Sequence, residues 1–171
     1  MGYLRSSCGY LCAHGLEGVA LNGKVRMLAV ASGGGHWEQL MAMRPAFAEA
    51  ETFYATTMSG LPEKFGVKHF SIIPDCNRNE PLRSLACLMA LLGVLLKFRP
   101  RVVISTGALP GLAALMLGRM LGARTIWIDS LANVEGMSMS GRYARRFADH
   151  WITQWPAVAQ ASGAEYCGRV L

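Results

Sequence analysis

Short β-type runs alternate with helix-length segments along almost the whole chain, and this alternation limits the fold more than any single motif does. Residues 25–31, 52–56, 69–73, 102–105, 125–128 and 150–153 read as strands, and residues 37–49, 82–98 and 111–121 as helices. Strands that alternate with helices build βαβ units, so the predicted fold class is α/β with a parallel sheet. The runs Arg101-Val102-Val103-Ile104-Ser105 and Arg124-Thr125-Ile126-Trp127-Ile128 are continuously apolar at their centres, as strands covered on both faces must be. Pro100 precedes a strand and Gly122 closes a helix, which suits the backbone preference of each.

Ligands of such sheets bind beyond the carboxyl ends of the strands. Here those ends are residues 32–36, 57–60, 74–79, 106–111, 129–135 and 154–156, most of them rich in polar residues or glycine. The first is the most informative. An apolar strand breaks into Ser32-Gly33-Gly34-Gly35-His36 and then into a helix, which sets free backbone N–H groups and the positive helix end in one place. The expected guest is an anion, above all a phosphate, and the alternative is a purely structural tight turn. A dinucleotide fingerprint would need glycine at position 38, which is Glu38, and a nucleotide-triphosphate loop would need a Gly-Lys-Ser/Thr that does not follow. Neither a nicotinamide cofactor nor any other cofactor is expected.

At the first turn of that helix, His36 is placed to donate to a phosphate or to take a proton from an attacking hydroxyl; its plain reading is a polar cap. A second strand-to-helix junction, Ser105-Thr106-Gly107-Ala108-Leu109-Pro110-Gly111, offers either a second anion or sugar contact through Thr106 and Gly107 or simple turn chemistry. Asp129 and Glu135, past the end of a buried strand, read as a base, as a holder of a sugar hydroxyl, or as caps and solvated acids.

A chain of 171 residues with 52% apolar composition supports one real core, so we expect a loose leader over residues 1–24 and one domain over 25–171. The formal charge of +6 with only 16% charged residues suits an acidic partner such as a membrane surface or a diphosphate. The basic runs at 97–101 and 142–146 lack interleaved aromatics or a DNA-reading motif, so nucleic acid is not expected. The five cysteines form no disulfide framework and suit a reducing compartment, and Cys8, Cys12 and His14 lack the second pair that a metal site needs. No metal is expected. The leader holds no unbroken apolar stretch, so a signal peptide or anchor is not expected there. Residues 85–96 are uncharged and rich in leucine and methionine but shorter than the about 20 residues that span a bilayer. Flanked by Arg83, Lys97, Arg99 and Arg101, the segment 82–98 reads either as an interfacial helix or as one buried against the sheet.

Four ordered motifs add a family likeness: Ser32-Gly33-Gly34-Gly35-His36, then Asp129-Ser130-Leu131-Ala132-Asn133-Val134-Glu135-Gly136-Met137-Ser138-Met139-Ser140-Gly141, then Gln154-Trp155-Pro156, and Gly168-Arg169-Val170-Leu171. With them the chain resembles the asparagine-linked-glycosylation protein fourteen family and its bacterial PssD-type relatives, the acceptor-side subunits of two-component glycosyltransferases. The resemblance runs over residues 25–171. It implies a Rossmann-like domain, the amino-terminal half of a split GT-B glycosyltransferase. It also implies a polyprenyl-diphosphate-linked acceptor, a separate donor-binding subunit, a role in polysaccharide biosynthesis and a place on the cytoplasmic face of a membrane. By analogy Ser32, Gly33, Gly34 and Gly35, with Thr106 and Gly107, hold the diphosphate and His36 acts in catalysis. Asp129, Ser130, Glu135, Ser138 and Ser140 match the second motif without an assigned role. Eukaryotic members carry an amino-terminal membrane helix that residues 1–24 do not match, so attachment here is expected to be peripheral. The chain alone is then expected to be nearly inactive. The rival expectations are a self-sufficient Rossmann-type phosphate-ester or nucleotide enzyme, and a non-catalytic membrane scaffold.

Overall fold

A computed structural model of the chain describes residues 23–76 and 80–170. All but the last two residues of the expected leader, with Cys8, Cys12 and His14, lie outside the described residues, as do residues 77–79 of one strand-end loop. The described chain builds strands β1 (Arg26–Ala31), β2 (Glu51–Thr56), β3 (Phe70–Ile72), β4 (Val102–Ser105), β5 (Arg124–Ile128), β6 (His150–Thr153) and β7 (Glu165–Tyr166). Six helices lie between them: α1 (Gly35–Ala42), α2 (Leu61–Lys64), α3 (Pro81–Phe98), α4 (Ala108–Met120), α5 (Met139–Ala144) and α6 (Pro156–Ser162). The strands form one sheet in the order β3-β2-β1-β4-β5-β6-β7, and every pairing is parallel. The expected α/β class is what the chain adopts.

Every expected strand is present, with ends shifted by one residue at most. The helices differ more. The helix expected over 37–49 stops at Ala42, because Pro45 lacks an amide proton and disfavours helical backbone at Arg44 before it. A short 3-10 turn, Arg44–Phe47, replaces its second half. Helix α3 begins on Pro81, where a missing N–H costs nothing. Helix α4 starts at Ala108, ahead of the expected residue 111.

Alternation along the strands sorts the core into two layers. One face sets Leu28, Val30, Val103, Trp127 and Trp151 against α3, α4 and α5. Contact there is close: a Cβ on Gly118 of α4 would lie 2.6 Å from Val103 Cγ2. The other face sets Met27, Ala29, Ala31 and Tyr54 against Trp37, Leu40 and Met41 of α1 and Phe47 of the 3-10 turn. Among the described residues no helix covers this second face over β4, β5 and β6; Val102, Ile104, Ile126, Ile128 and Ile152 instead line an apolar cavity of about 280 Å³.

Helix α3 packs one side into the core, as the buried reading expects, and leaves its other side exposed. Cys87, Leu91 and Leu95 are buried in the core, whereas Leu82, Leu85, Met89 and Leu96 are 82%, 56%, 59% and 54% exposed. These four lie on one stripe of the helix, opposite the buried one. By length and composition the whole 18-residue helix could cross a bilayer, which its uncharged stretch 85–96 did not suggest, yet one side of it is built into the domain.

Candidate active site

The strand order reverses direction at β1, which pairs with β2 on one side and β4 on the other. Crossovers leave this point in opposite directions and open a crevice at the carboxyl ends of β1 and β4. The glycine turn after β1 forms one wall of it and the Thr106–Gly107 junction after β4 the other.

Gly34 opens α1 with φ 70° and ψ −140°, a conformation that only glycine adopts without strain. Its carbonyl accepts the Trp37 and Glu38 amides at 3.0 and 3.1 Å. The Gly33 amide is already engaged, donating to Thr57 Oγ1 at 3.2 Å, and a Cβ on Gly33 would meet the Met58 side chain. The amides left open at the helix start are therefore those of Gly34, Gly35 and His36, on exposed glycines and a half-buried histidine. Ser32 is half-buried just before them. Glu38 lies two residues beyond His36, which on a helix puts it on the far side from the crevice.

His36 is fastened at two points. Its Nδ1 lies 3.0 Å from the Thr106 carbonyl oxygen, and Thr106 Oγ1 donates to the His36 carbonyl at 2.7 Å. A carbonyl only accepts, so the proton of the neutral ring sits on Nδ1 and the Nε2 lone pair is left free. Gly107 has φ 142°, and a Cβ there would overlap Nδ1 and Cε1 of the ring. This junction is not the second anion contact that its sequence suggested. Thr106 is fully buried, its hydroxyl and carbonyl are both engaged with His36, and the Gly107 amide donates to Ser105 Oγ at 3.2 Å. Thr106 and Gly107 position the histidine.

Asp129, past β5, is 1% exposed. Its Oδ1 accepts from Trp127 Nε1 at 3.1 Å and Ser138 Oγ at 2.6 Å, and its Oδ2 from Asn133 Nδ2 at 3.2 Å and the Ser138 amide at 2.8 Å. Four donors leave this carboxylate no role as a base; it folds residues 130–138 back onto the sheet. Ser138 is the N-cap of α5, accepting the Gly141 amide at 2.8 Å. Gly141 must be glycine, since a Cβ would stand 2.6 Å from Asp129 Oδ1. Of the other motif residues, Ser130 accepts the Ala132 amide at 3.3 Å, Ser140 is half-buried and Glu135 is exposed on the loop.

Two buried glutamines complete the clamp. Gln39 Nε2 and Gln154 Nε2 both donate to the Asp129 carbonyl, at 3.2 and 3.0 Å. Gln39 also accepts the Leu131 amide at 3.1 Å, while Trp155 Nε1 donates to the Leu131 carbonyl at 2.9 Å. Gln39 went unnoticed in the sequence, although a glutamine three residues after His36 shares its helix face. Through α1, the histidine and the Asp129 loop are held by one rigid element. The site thus combines open backbone amides, suited to an anion, with an oriented imidazole lone pair, suited to taking a proton.

Residues 81–170 match the family model described as "Oligosaccharide biosynthesis protein Alg14 like". Among curated proteins, the chain is 37% identical over 67 residues to the UDP-N-acetylglucosamine transferase subunit ALG14 of Eremothecium gossypii, covering 36% of this chain and 30% of the relative. It is 32% identical over 85 residues to the human subunit of that name, covering 44% of this chain and 38% of the relative. The chain therefore spans about a third of the length of these relatives. Among solved structures, it superposes on Acinetobacter baumannii MurG with a TM-score of 0.65 at 14% identity, covering 80% of this chain and 42% of that one. The Rickettsia bellii UDP-N-acetylglucosamine 2-epimerase gives a TM-score of 0.63 at 12% identity, covering 84% and 43%. At these identities the likeness is one of fold: the chain has the Rossmann-like architecture of one half of a GT-B enzyme.

Proposed function

The chain belongs to the Alg14 family, and we propose that it is the acceptor-binding subunit of a two-part glycosyltransferase in polysaccharide biosynthesis. A separate donor-binding subunit would supply the nucleotide sugar, and the acceptor would be a polyprenyl-diphosphate-linked glycan at the cytoplasmic face of a membrane. The observation that carries this reading is the pairing, at the switch point, of three open amides with a histidine whose Nε2 lone pair is free. The diphosphate of the acceptor fits Gly34, Gly35 and His36 at the start of α1, with Ser32 and Gly33 shaping the turn. His36 Nε2 then takes the proton of the acceptor hydroxyl as that oxygen attacks the sugar, and the nucleoside diphosphate departs on the partner. Thr106 and Gly107 fix the ring, while Asp129, Ser138 and the two glutamines fix the neighbouring loop.

Two features support the partner and the membrane. The relatives are named as subunits, and the sheet face over β4, β5 and β6 leaves apolar area that a parallel sheet ordinarily covers. The outer stripe of α3 presents Leu82, Leu85, Met89 and Leu96 beside Arg83 and Lys97, the pattern of a helix lying in a membrane surface.

The test is reconstitution. The chain is purified with and without its donor-binding subunit and offered UDP-N-acetylglucosamine and a short-chain polyprenyl-diphosphate glycan. Transfer by the pair and none by the chain alone is expected. Turnover by the lone chain would favour a self-sufficient enzyme, and full activity of a His36→Ala pair would reduce the chain to a scaffold.

A further inference from the structure

Far from the crevice, at the amino edge of the sheet, the chain gathers arginines from consecutive strand starts. The Arg101 amide donates to the Arg26 carbonyl at 2.8 Å and the Arg124 amide to the Arg101 carbonyl at 2.9 Å, which sets these residues side by side. Arg99 joins them as the left-handed cap of α3, with φ 50°. Arg99, Arg101 and Arg124 line an open cleft of about 580 Å³ with Leu95, Leu96 and Leu121, and among the described residues no carboxylate lines it. On this edge Glu51 starts β2 opposite Arg26, outside the cleft, and Asp149 is engaged by Arg119 at 2.6 Å and by the Thr125 amide at 2.8 Å. The cleft therefore concentrates positive charge.

Its rim is apolar and continuous with α3. Leu96 belongs both to the cleft wall and to the outer stripe of that helix, and Met120 and Leu121 beside it are 77% and 49% exposed. The planar guanidinium fork pairs two oxygens of a phosphate at once, and exposed leucines next to it match acyl chains.

We propose that this cleft binds the phosphodiester headgroup of an anionic phospholipid. The inference rests on the membrane reading above and adds a lipid preference to it. Helix α3 leaves the carboxyl edge after β3 and ends at the amino edge before β4, so its 18 residues span about 27 Å between crevice and cleft. Headgroup binding at the far end holds α3 parallel to the bilayer, and the crevice at its near end is kept at membrane level.

Co-sedimentation of the full chain with vesicles of phosphatidylcholine, with and without phosphatidylglycerol, tests this. The variant Arg99→Asn with Arg124→Gln removes two charges while keeping a residue that tolerates the left-handed cap. Binding to phosphatidylglycerol vesicles should fall roughly 30-fold, the equivalent of about 1 kcal/mol per arginine near an anionic surface. Binding to phosphatidylcholine should hold. A control pair with the same charge loss, Lys64→Gln with Lys68→Gln on the exposed surface, should change binding far less. Equal losses in both pairs would overturn the site in favour of a net-charge effect. A chain that binds soluble glycerol phosphate but not phosphatidylglycerol vesicles would overturn the lipid source and leave a site for a free phosphate. A parent chain that binds both vesicles equally sinks this inference alone, whereas one that binds neither sinks the membrane reading with it.

Discussion

Replacing Gly107 by alanine probes the histidine seat without touching any group placed against substrate. The backbone there, φ 142° and ψ −175°, lies in a region that is essentially restricted to glycine, and forcing another residue into it costs about 1–3 kcal/mol. The new methyl would also overlap Nδ1 and Cε1 of His36, with 3.3 Å left to Cγ, so the ring must swing away. That movement breaks the 3.0 Å contact with the Thr106 carbonyl, worth about 1 kcal/mol. The total is a loss of about 2–4 kcal/mol in folding stability, together with loss of the bond that keeps the Nε2 lone pair facing the crevice. Urea unfolding followed by tryptophan fluorescence gives the first quantity, and turnover of the reconstituted pair gives the second. Both should fall. A Gly107→Ala chain as stable as the parent and fully active in the pair would refute the claim that this glycine exists to seat the histidine.

Asp129→Asn turns one acceptor oxygen into a donor facing groups that already donate, and at 1% exposure no water can mediate; stability should drop by about 2–3 kcal/mol in the same unfolding assay. Partial burial pushes the Asp149 carboxyl up, but the Thr125 amide and hydroxyl and the Arg119 guanidinium outweigh it and hold the pKa below the ordinary aspartate value. Because the folded pKa is the lower one, this carboxylate contributes stability above the unfolded value, near pH 4, that is lost as pH falls through the folded pKa; a pH series of unfolding midpoints should show a shallower acid limb in Asp149→Asn. Leu85→Ser with Met89→Ser removes two exposed side chains from α3, so folding should be unchanged while flotation with phosphatidylcholine vesicles is lost; retained flotation would clear that stripe of any membrane role. Burial, with Cys76 and Asp75 close by, pushes the Cys87 thiol up to about 12, so iodoacetamide at neutral pH should label half-exposed Cys76 and spare Cys87 until the chain unfolds.

The strands were readable because a strand covered on both faces must be apolar throughout, and Val102–Ser105 and His150–Thr153 were found to the residue. Pro45 could have been read as a helix stop. Helices α2, α5 and α6 have four, six and seven residues, too few for a periodic pattern to emerge. Helix α3 is apolar nearly all round, so composition alone could not tell the core stripe of Cys87, Leu91 and Leu95 from the exposed one. Of the site, the glycine turn and His36 were legible as local signals. What lay beyond the sequence were pairings across long separations, such as Gly33 with Thr57, His36 with Thr106 and Gln39 with Asp129. Those pairings converted Thr106 and Gly107 from expected ligands into supports and Asp129 from a candidate base into the anchor of a loop.

A short-chain polyprenyl-diphosphate glycan titrated onto the nitrogen-15-labelled chain, with backbone amide shifts followed by NMR, goes straight to the central claim. Saturable shifts centred on Gly34, Gly35 and His36, with the His36 ring responding, are the expected result. Shifts that leave these three amides unmoved and gather at another edge of the sheet would contradict the account.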